Sequence, residues 1–352
     1  MRIAVRADAT SAIGLGHVKR CLALAMALKE AGAALHFIGH VDSDAALALV
    51  TAQGFGWTPL PPLSVSQGTL AGQIEDARHT AEFMQAWAAD MIVVDHYGLA
   101  APWHQAVRQA TGAHIVAIDD LADRPLDVDL LIDHNAAPDH AEKYRQVLRP
   151  GVPLCGGPAY ALIDQVYARH ARCAHREAVQ HIGIFMGGTD PGQHSAWALK
   201  TLRETVGWPG QVTIATTSAN PHWPGLARLL RQDANASLLM DQANLADFHA
   251  ACDLAIGAGG GAQWERCCLG VPTLALVCAD NQRATVSHLQ AIGALQGLDA
   301  MGQTPDQARA MSSMLARLIS SPGDRLELAR QGMALVDGHG AQRAARAIMA
   351  LR

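Results

Sequence analysis

The residues best suited to chemistry gather in three glycine-rich turns and at two acidic strand ends. In Gly14-Leu15-Gly16-His17-Val18-Lys19-Arg20, two glycines permit a tight turn and close backbone approach before a helical stretch, and His17 sits at the helix start. An imidazole with a pKa of about 6.5 is neutral often enough near pH 7 to accept a proton. A plain βα turn with a surface histidine explains the same residues equally well, because a lone G-x-G falls short of a dinucleotide fingerprint.

The second turn, Gly187-Gly188-Thr189-Asp190-Pro191-Gly192, offers backbone N–H groups to a phosphate or a sugar. Local grounds alone favour the other reading, a turn whose Asp190 caps the next helix. The third, Gly257-Ala258-Gly259-Gly260-Gly261-Ala262-Gln263-Trp264-Glu265, is the strongest signal. Its bare N–H groups, backed by a helix dipole, favour an anion such as a diphosphate. Glu265, about one turn into that helix, suits the two hydroxyls of a ribose, unless it pairs with Arg266 or another cation. Asp95-His96-Tyr97-Gly98 and Asp119-Asp120 end strand candidates. Neighbouring strand residues point to opposite faces, so one of Asp119 and Asp120 is read as functional and the other as a cap.

Short apolar runs alternating with longer Ala/Leu-rich stretches are the pattern of βα units around a parallel sheet. Strands are expected at Arg2–Arg6, Leu35–Ile38, Met91–Asp95, His114–Asp119 and Asp129–Ile132, with the clearest helix over Lys19–Ala31. The segment RPGVPLCGGP interrupts the series near residue 155. A second series follows at Ile182–Met186, Val212–Thr216, Ser237–Met240, Asp253–Ile256 and Thr273–Val277. From Thr304 onward the chain shows three helical stretches, broken at Ser320–Pro322 and Gly338–Gly340. The expected organisation is therefore an α/β chain with an N-terminal Rossmann-like domain (1–155), a C-terminal one (156–303) and a helical tail (304–352) packing at the seam. Two doubly wound domains would turn their strand ends toward one cleft.

Composition narrows the function. The 352 residues carry 27 Lys and Arg against 32 Asp and Glu, a net charge of −5, which argues against a nucleic-acid partner. Seven cysteines without a C-x-x-C spacing read as reduced thiols of a cytoplasmic protein. No run of about 18 apolar residues suggests a membrane span. The 17 histidines include no H-E-x-x-H spacing, so neither a metal site nor a cofactor is expected.

Taken in order, RADATSAIGLGHVKRCLALA, VDHYG, IDDLADRP, GPAYAL, MGGTDP, GAGGGAQWERCCLGVP and ADNQ make the chain resemble the UDP-2,4-diacetamido-2,4,6-trideoxy-β-L-altropyranose hydrolases of pseudaminic acid biosynthesis. The likeness runs from Met1 to about Gln290. It implies a GT-B fold, two facing Rossmann-like domains, shared with the lipid-linked N-acetylglucosaminyl transferases of peptidoglycan synthesis. It implies a small UDP-sugar and water as reactants, with His17 as the base that activates water for inverting displacement of UDP. Substrate contacts are then expected from Gly14, Gly16, Asp95, His96, Tyr97, Tyr160, Gly187, Gly188, Thr189, Gln193, Gly259, Gly260, Glu265 (on ribose), Asn281 and Gln282.

The chain departs from the family pattern at Gly261, Ala262 and Gln263, where relatives carry Ser and Thr, and at Gln193 and Asp164 in place of Asn and Arg. Two other classes use the same loops: a glycosyltransferase with an acceptor other than water, and a nucleotide-sugar binding module without turnover. Release of sugar without an added acceptor separates the first from a hydrolase, and binding without turnover marks the second.

Overall fold

The computed structural model describes residues 1–9, 16–42, 44–170, 173 and 177–351. The first sheet holds seven strands: β1 (Arg2–Ala7), β2 (Ala34–Gly39), β3 (Gly56–Pro59), β4 (Met91–Asp95), β5 (His114–Ile118), β6 (Leu130–Asp133) and β7 (Leu154–Gly156). Their order is β3-β2-β1-β4-β5-β6-β7, and every pairing is parallel. The second sheet holds β8 (His181–Phe185), β9 (Gln211–Thr216), β10 (Ala236–Met240), β11 (Leu254–Ala258), β12 (Thr273–Val277) and β13 (Gln296–Asp299). Its order is β10-β9-β8-β11-β12-β13, again all parallel.

Both sheets are doubly wound. The direction of winding reverses between β1 and β4 in one and between β8 and β11 in the other, and at such a switch point the loops leaving adjacent strands diverge and open a crevice at the carboxyl edge. The strands read as apolar runs because helices cover both faces. Ile3, Val5, Met91 and Val93 pack on one side with helix Gly16–Glu30. Ala4, Ile92 and Val94 pack on the other with Ala77, Met84 and Trp103.

All ten strands expected from the sequence are present, with ends shifted by no more than two residues. Boundaries between units differ from expectation. The first unit is Met1–Asp164 with His339–Arg352, and the second is Gln165–Gly338. The Pro/Gly-rich segment near 155 is no linker, because Leu154–Gly156 pairs with β6 and Leu162 is buried in the first core. Nor is 304–352 a separate tail. Helices Pro305–Ser320 and Pro322–Leu335 put Met311, Leu315, Leu318 and Leu328 into the second core. Helix Gly340–Met349 instead buries Ala341, Ala344, Ala345 and Ile348 in the first. Gly340 is where it touches down: a Cβ there would stand 2.5 Å from the carbonyl carbon of Tyr160, so only glycine permits the approach.

This makes the last helix part of the first core. Ile348 is fully buried, so Ile348→Ala should cost about 2–5 kcal/mol of stability in urea unfolding. An unchanged unfolding midpoint would show that the helix contributes nothing to that unit.

Candidate active site

The switch point of the first sheet is organised by one carboxylate. Asp95 ends β4 and is 1% exposed, and Ala7 at the end of β1 is its partner in register. The helix that follows β1 starts at Gly16, which places His17 in its first turn and Arg20 one turn further on the same face. His17 Nδ1 lies 2.7 Å from Asp95 Oδ1. Arg20 grips both oxygens, donating from Nε to Oδ2 at 2.6 Å and from Nη2 to Oδ1 at 2.5 Å, and Cys21 Sγ adds a weak contact at 3.5 Å.

Burial alone would raise the pKa of the Asp95 carboxyl. The charges and hydrogen bonds of Arg20 and His17 outweigh it and hold the group well below the usual carboxylate range. An ionised carboxylate only accepts hydrogen bonds, so in the neutral imidazole the Nδ1 facing it carries the proton and Nε2 is left as the acceptor. His17 is thereby fixed in the tautomer of a general base. The surface histidine of a plain βα turn is not what forms here, since His17 is 9% exposed.

Tyr97 closes one side. Its ring meets His17 edge-on, with centroids 4.8 Å apart at 81°, and the Arg20 guanidinium lies 6.0 Å from its centroid. Burial pushes the phenol up, and Asp120 pushes it further against the opposing charge of Arg20, so it stays a protonated donor. The two adjacent aspartates divide as their alternation requires. Asp119 caps its own loop, accepting from the backbone of Leu121 and Ala122 at 3.2 and 2.9 Å and from Arg124 Nη1 at 2.7 Å. Asp120 turns toward the site, 3.9 Å from Arg20 Nη1 and accepting from Asn135 Nδ2 at 2.7 Å.

Other expected contacts serve the fold. His96 lies beside the dyad in sequence, yet its Nε2 is 3.0 Å from Asp8 Oδ2 and its Nδ1 accepts from Gly98 N at 2.9 Å. Both ring nitrogens are engaged within the chain, which leaves neither for a ligand. Tyr160 packs on the first core, with its hydroxyl on the Cys155 thiol. Gly16 opens the helix with free space at its Cα, and Gly14 lies outside the described residues.

In the second unit, the loops after β8 and β11 occupy the corresponding switch point. Gly187 takes φ +90°, a conformation that favours glycine, and Gly188 O accepts from Thr217 Oγ1 at 2.8 Å. Thr189 follows, half-buried. Asp190 is the helix cap that local reading allowed, accepting from the backbone of His194 and Ser195 at 2.9 Å each. Gln193 is exposed in a left-handed conformation at φ 55°.

After β11, Gly259 and Gly260 lie beside the Gln282 side chain: a Cβ on Gly259 would stand 3.5 Å from Gln282 Cβ, and one on Gly260 3.7 Å from its Nε2. Gln282 is held there by accepting from Cys278 N at 2.9 Å, while its neighbour Asn281 is exposed. Glu265 sits in the first turn of helix Ala262–Leu269 with Oε2 3.5 Å from Nε2 of the fully buried His249. It does not pair with Arg266, whose guanidinium turns inward.

Sequence reasoning missed Arg20, Asn135 and His249. For Arg20 a signal existed, the i, i+3 spacing from His17; the other two come from distant segments.

No family model matches the sequence. The chain is 25% identical over 291 residues to the UDP-2,4-diacetamido-2,4,6-trideoxy-beta-L-altropyranose hydrolase of Campylobacter jejuni, covering 82% of this chain and 96% of that protein. It is 23% identical over 342 residues to the spore coat polysaccharide biosynthesis protein SpsG of Bacillus subtilis, covering 97% and 95%. Among solved structures, MurG of Acinetobacter baumannii aligns over 99% of both chains with a TM-score of 0.68 at 13% identity. The fold is therefore of the GT-B class, with two parallel-sheet Rossmann-like units.

The Asp95 cluster has a pH signature. Because its folded pKa is depressed, Asp95 contributes stability above its unfolded pKa of about 3.9 and loses it as pH falls below that value. Asp95→Asn leaves Arg20 with only the more distant Asp120 as counter-ion and should cost up to about 3–5 kcal/mol at pH 7. That gap should narrow between pH 4 and pH 3 in urea titrations, as the wild-type carboxyl begins to lose its advantage. A gap of constant size would mean that the Asp95 carboxyl has the same pKa folded and unfolded, so that Arg20 and His17 do not hold it down.

Proposed function

We propose that this protein hydrolyses a UDP-linked 2,4-diacetamido-2,4,6-trideoxy hexose, the L-altrose sugar, to free sugar and UDP in nonulosonic acid biosynthesis. The observation that carries this reading is the His17–Asp95 pair, an imidazole oriented by a buried carboxylate at a strand-end crevice. The activity printed for the Campylobacter jejuni relative supports the choice of substrate.

The chemistry follows from the tautomer. His17 Nε2 takes a proton from water as the oxygen attacks the anomeric carbon, and the bond from that carbon to the phosphate oxygen breaks with its electron pair leaving on UDP. Attack opposite the leaving group inverts the anomeric centre, through an oxocarbenium-like state. Asp95 stays ionised throughout and stabilises the imidazolium that forms, as the orienting carboxylate of a triad does. Arg20 holds that carboxylate in place, and Tyr97 limits the imidazole's swing. In the second unit, the N–H groups of Gly187, Gly188, Gly259 and Gly260 take the diphosphate charge as it develops, Glu265 the ribose hydroxyls, and Asn281 and Gln282 the sugar and phosphate.

A transferase reading draws on one observation, the likeness of the fold to MurG. The two readings share donor recognition and differ in what attacks the anomeric carbon.

The anomeric proton signal, followed by NMR with a panel of UDP-acetamido sugars, reports substrate, cleavage and inversion together. UDP release without any acceptor is expected, and a strict need for an acceptor would replace hydrolase by transferase. His17→Ala should lower turnover by roughly 10²–10⁴-fold while leaving UDP affinity unchanged. Glu265→Ala should instead weaken UDP binding by roughly 10- to 100-fold, and an unchanged Kd would remove Glu265 from the ribose.

A further inference from the structure

A buried cation with no counter-ion among the described residues lies under the glycine turn that follows β11. Arg266 is 1% exposed, and its guanidinium folds back against the end of that strand. Nη2 donates to Ala258 O at 2.8 Å and to Gln263 Oε1 at 2.9 Å, both uncharged acceptors. Nε and Nη1 meet no acceptor among the described residues. A Cβ on Gly257 would stand 2.7 Å from Arg266 Cζ, so the glycine at 257 is the space the guanidinium occupies.

Other deeply buried arginines are treated differently. Arg6 has Asp8 and Asp76, Arg20 has Asp95, and Arg325 is met by the carbonyls of Leu318, Ile319 and Glu177. Around Arg266 the thiols of Cys252 and Cys267 are pushed up by burial and stay neutral, and Glu265 contributes charge at a distance while contacting His249. Burial lowers the guanidinium to about 10, which still leaves it charged at neutral pH. An unpaired buried charge is costly, and neutral surroundings would be cheaper unless something outside the chain completes the balance.

We infer that Arg266 is the electrostatic floor of an anion site, and that a diphosphate seated on Gly259–Gly261 and the N-terminus of helix Ala262–Leu269 supplies its missing counter-charge. Arg266 is a positioning residue in this account. It fixes the Ala258 carbonyl from which the turn departs and adds a positive potential to the turn's N–H groups. That the anion is the diphosphate of a nucleotide rests on the function proposed above; that the site takes an anion does not.

Calorimetric titration of the wild type, Arg266→Lys and Arg266→Gln with UDP, uridine and inorganic pyrophosphate tests this. Arg266→Gln, which keeps a donor for Ala258 O but no charge, should weaken UDP and pyrophosphate on the order of tenfold or more while leaving uridine unchanged. Arg266→Lys should keep most of the affinity for both phosphates. In the Gln variant the UDP-induced rise in Tm should shrink while the unliganded Tm holds or increases. Equal binding of UDP and pyrophosphate by Gln variant and wild type would overturn the inference, as would parallel losses for uridine, which mark structural damage. A wild type that binds pyrophosphate but neither UDP nor uridine would sink the nucleotide reading and leave the role of Arg266 standing.

Discussion

A carboxylate buried at the end of a central strand must find positive charge, and in the first unit that requirement fixes the helix above it. Asp95 draws His17 and Arg20 onto itself, with Cys21 beside them. Continued along the helix, the same face presents Leu24 and Leu28 to the core. One stripe of a single helix is therefore polar where it meets the strand ends and apolar where it meets the sheet. The imidazole tautomer, the position of Tyr97 and the rotation of the helix all follow from satisfying one buried anion. Small residues at Ala341, Ala344 and Ala345 let the last helix lie against this one and hold it down.

A second cluster next to it obeys the same rule. Arg6 lies inside β1, fully buried, and bonds to Asp8 and to Asp76 of helix Leu70–Trp87. Asp76 also accepts from Trp103 Nε1 at 2.8 Å and Gln67 Nε2 at 3.0 Å. Asp8 in turn holds His96. The guanidinium and His96 keep the Asp8 carboxyl far below its usual range despite a burial that would raise it. Removing any one partner would strand a charge, so the network ties the end of β1 to the residues that follow β4. His96 is engaged in this network through both ring nitrogens, whereas His17 meets Asp95 through Nδ1.

The sheet was legible because a parallel strand covered on both faces must be apolar along its length. The three strands that sequence reasoning missed, Gly56–Pro59, Leu154–Gly156 and Gln296–Asp299, are the short edge strands β3, β7 and β13. These three pair on one side only and are three or four residues long, so they leave no apolar run, whereas the longer edge strand β10 carries Leu238 to Met240 and was legible. For the same reason the boundary near 155 was misplaced: Leu154–Gly156 looks like linker and pairs as strand. Glycine turns and His17 were readable because backbone conformation is a local property. The bond from Arg20 to Asp95 spans 75 residues and the contact from His249 to Glu265 sixteen, and no local pattern announces either.

Two units with the same winding have arrived at opposite electrostatics. At its switch point the first gathers Asp8, Asp95 and Asp120, with the cations that reach them already committed. A phosphate brought there would meet these carboxylates. The second offers glycine N–H groups, a helix N-terminus and a guanidinium without a counter-ion among the described residues. An anionic group is repelled by the first arrangement and completed by the second. An uncharged carbon undergoing attack by water needs only an oriented base, which the first provides.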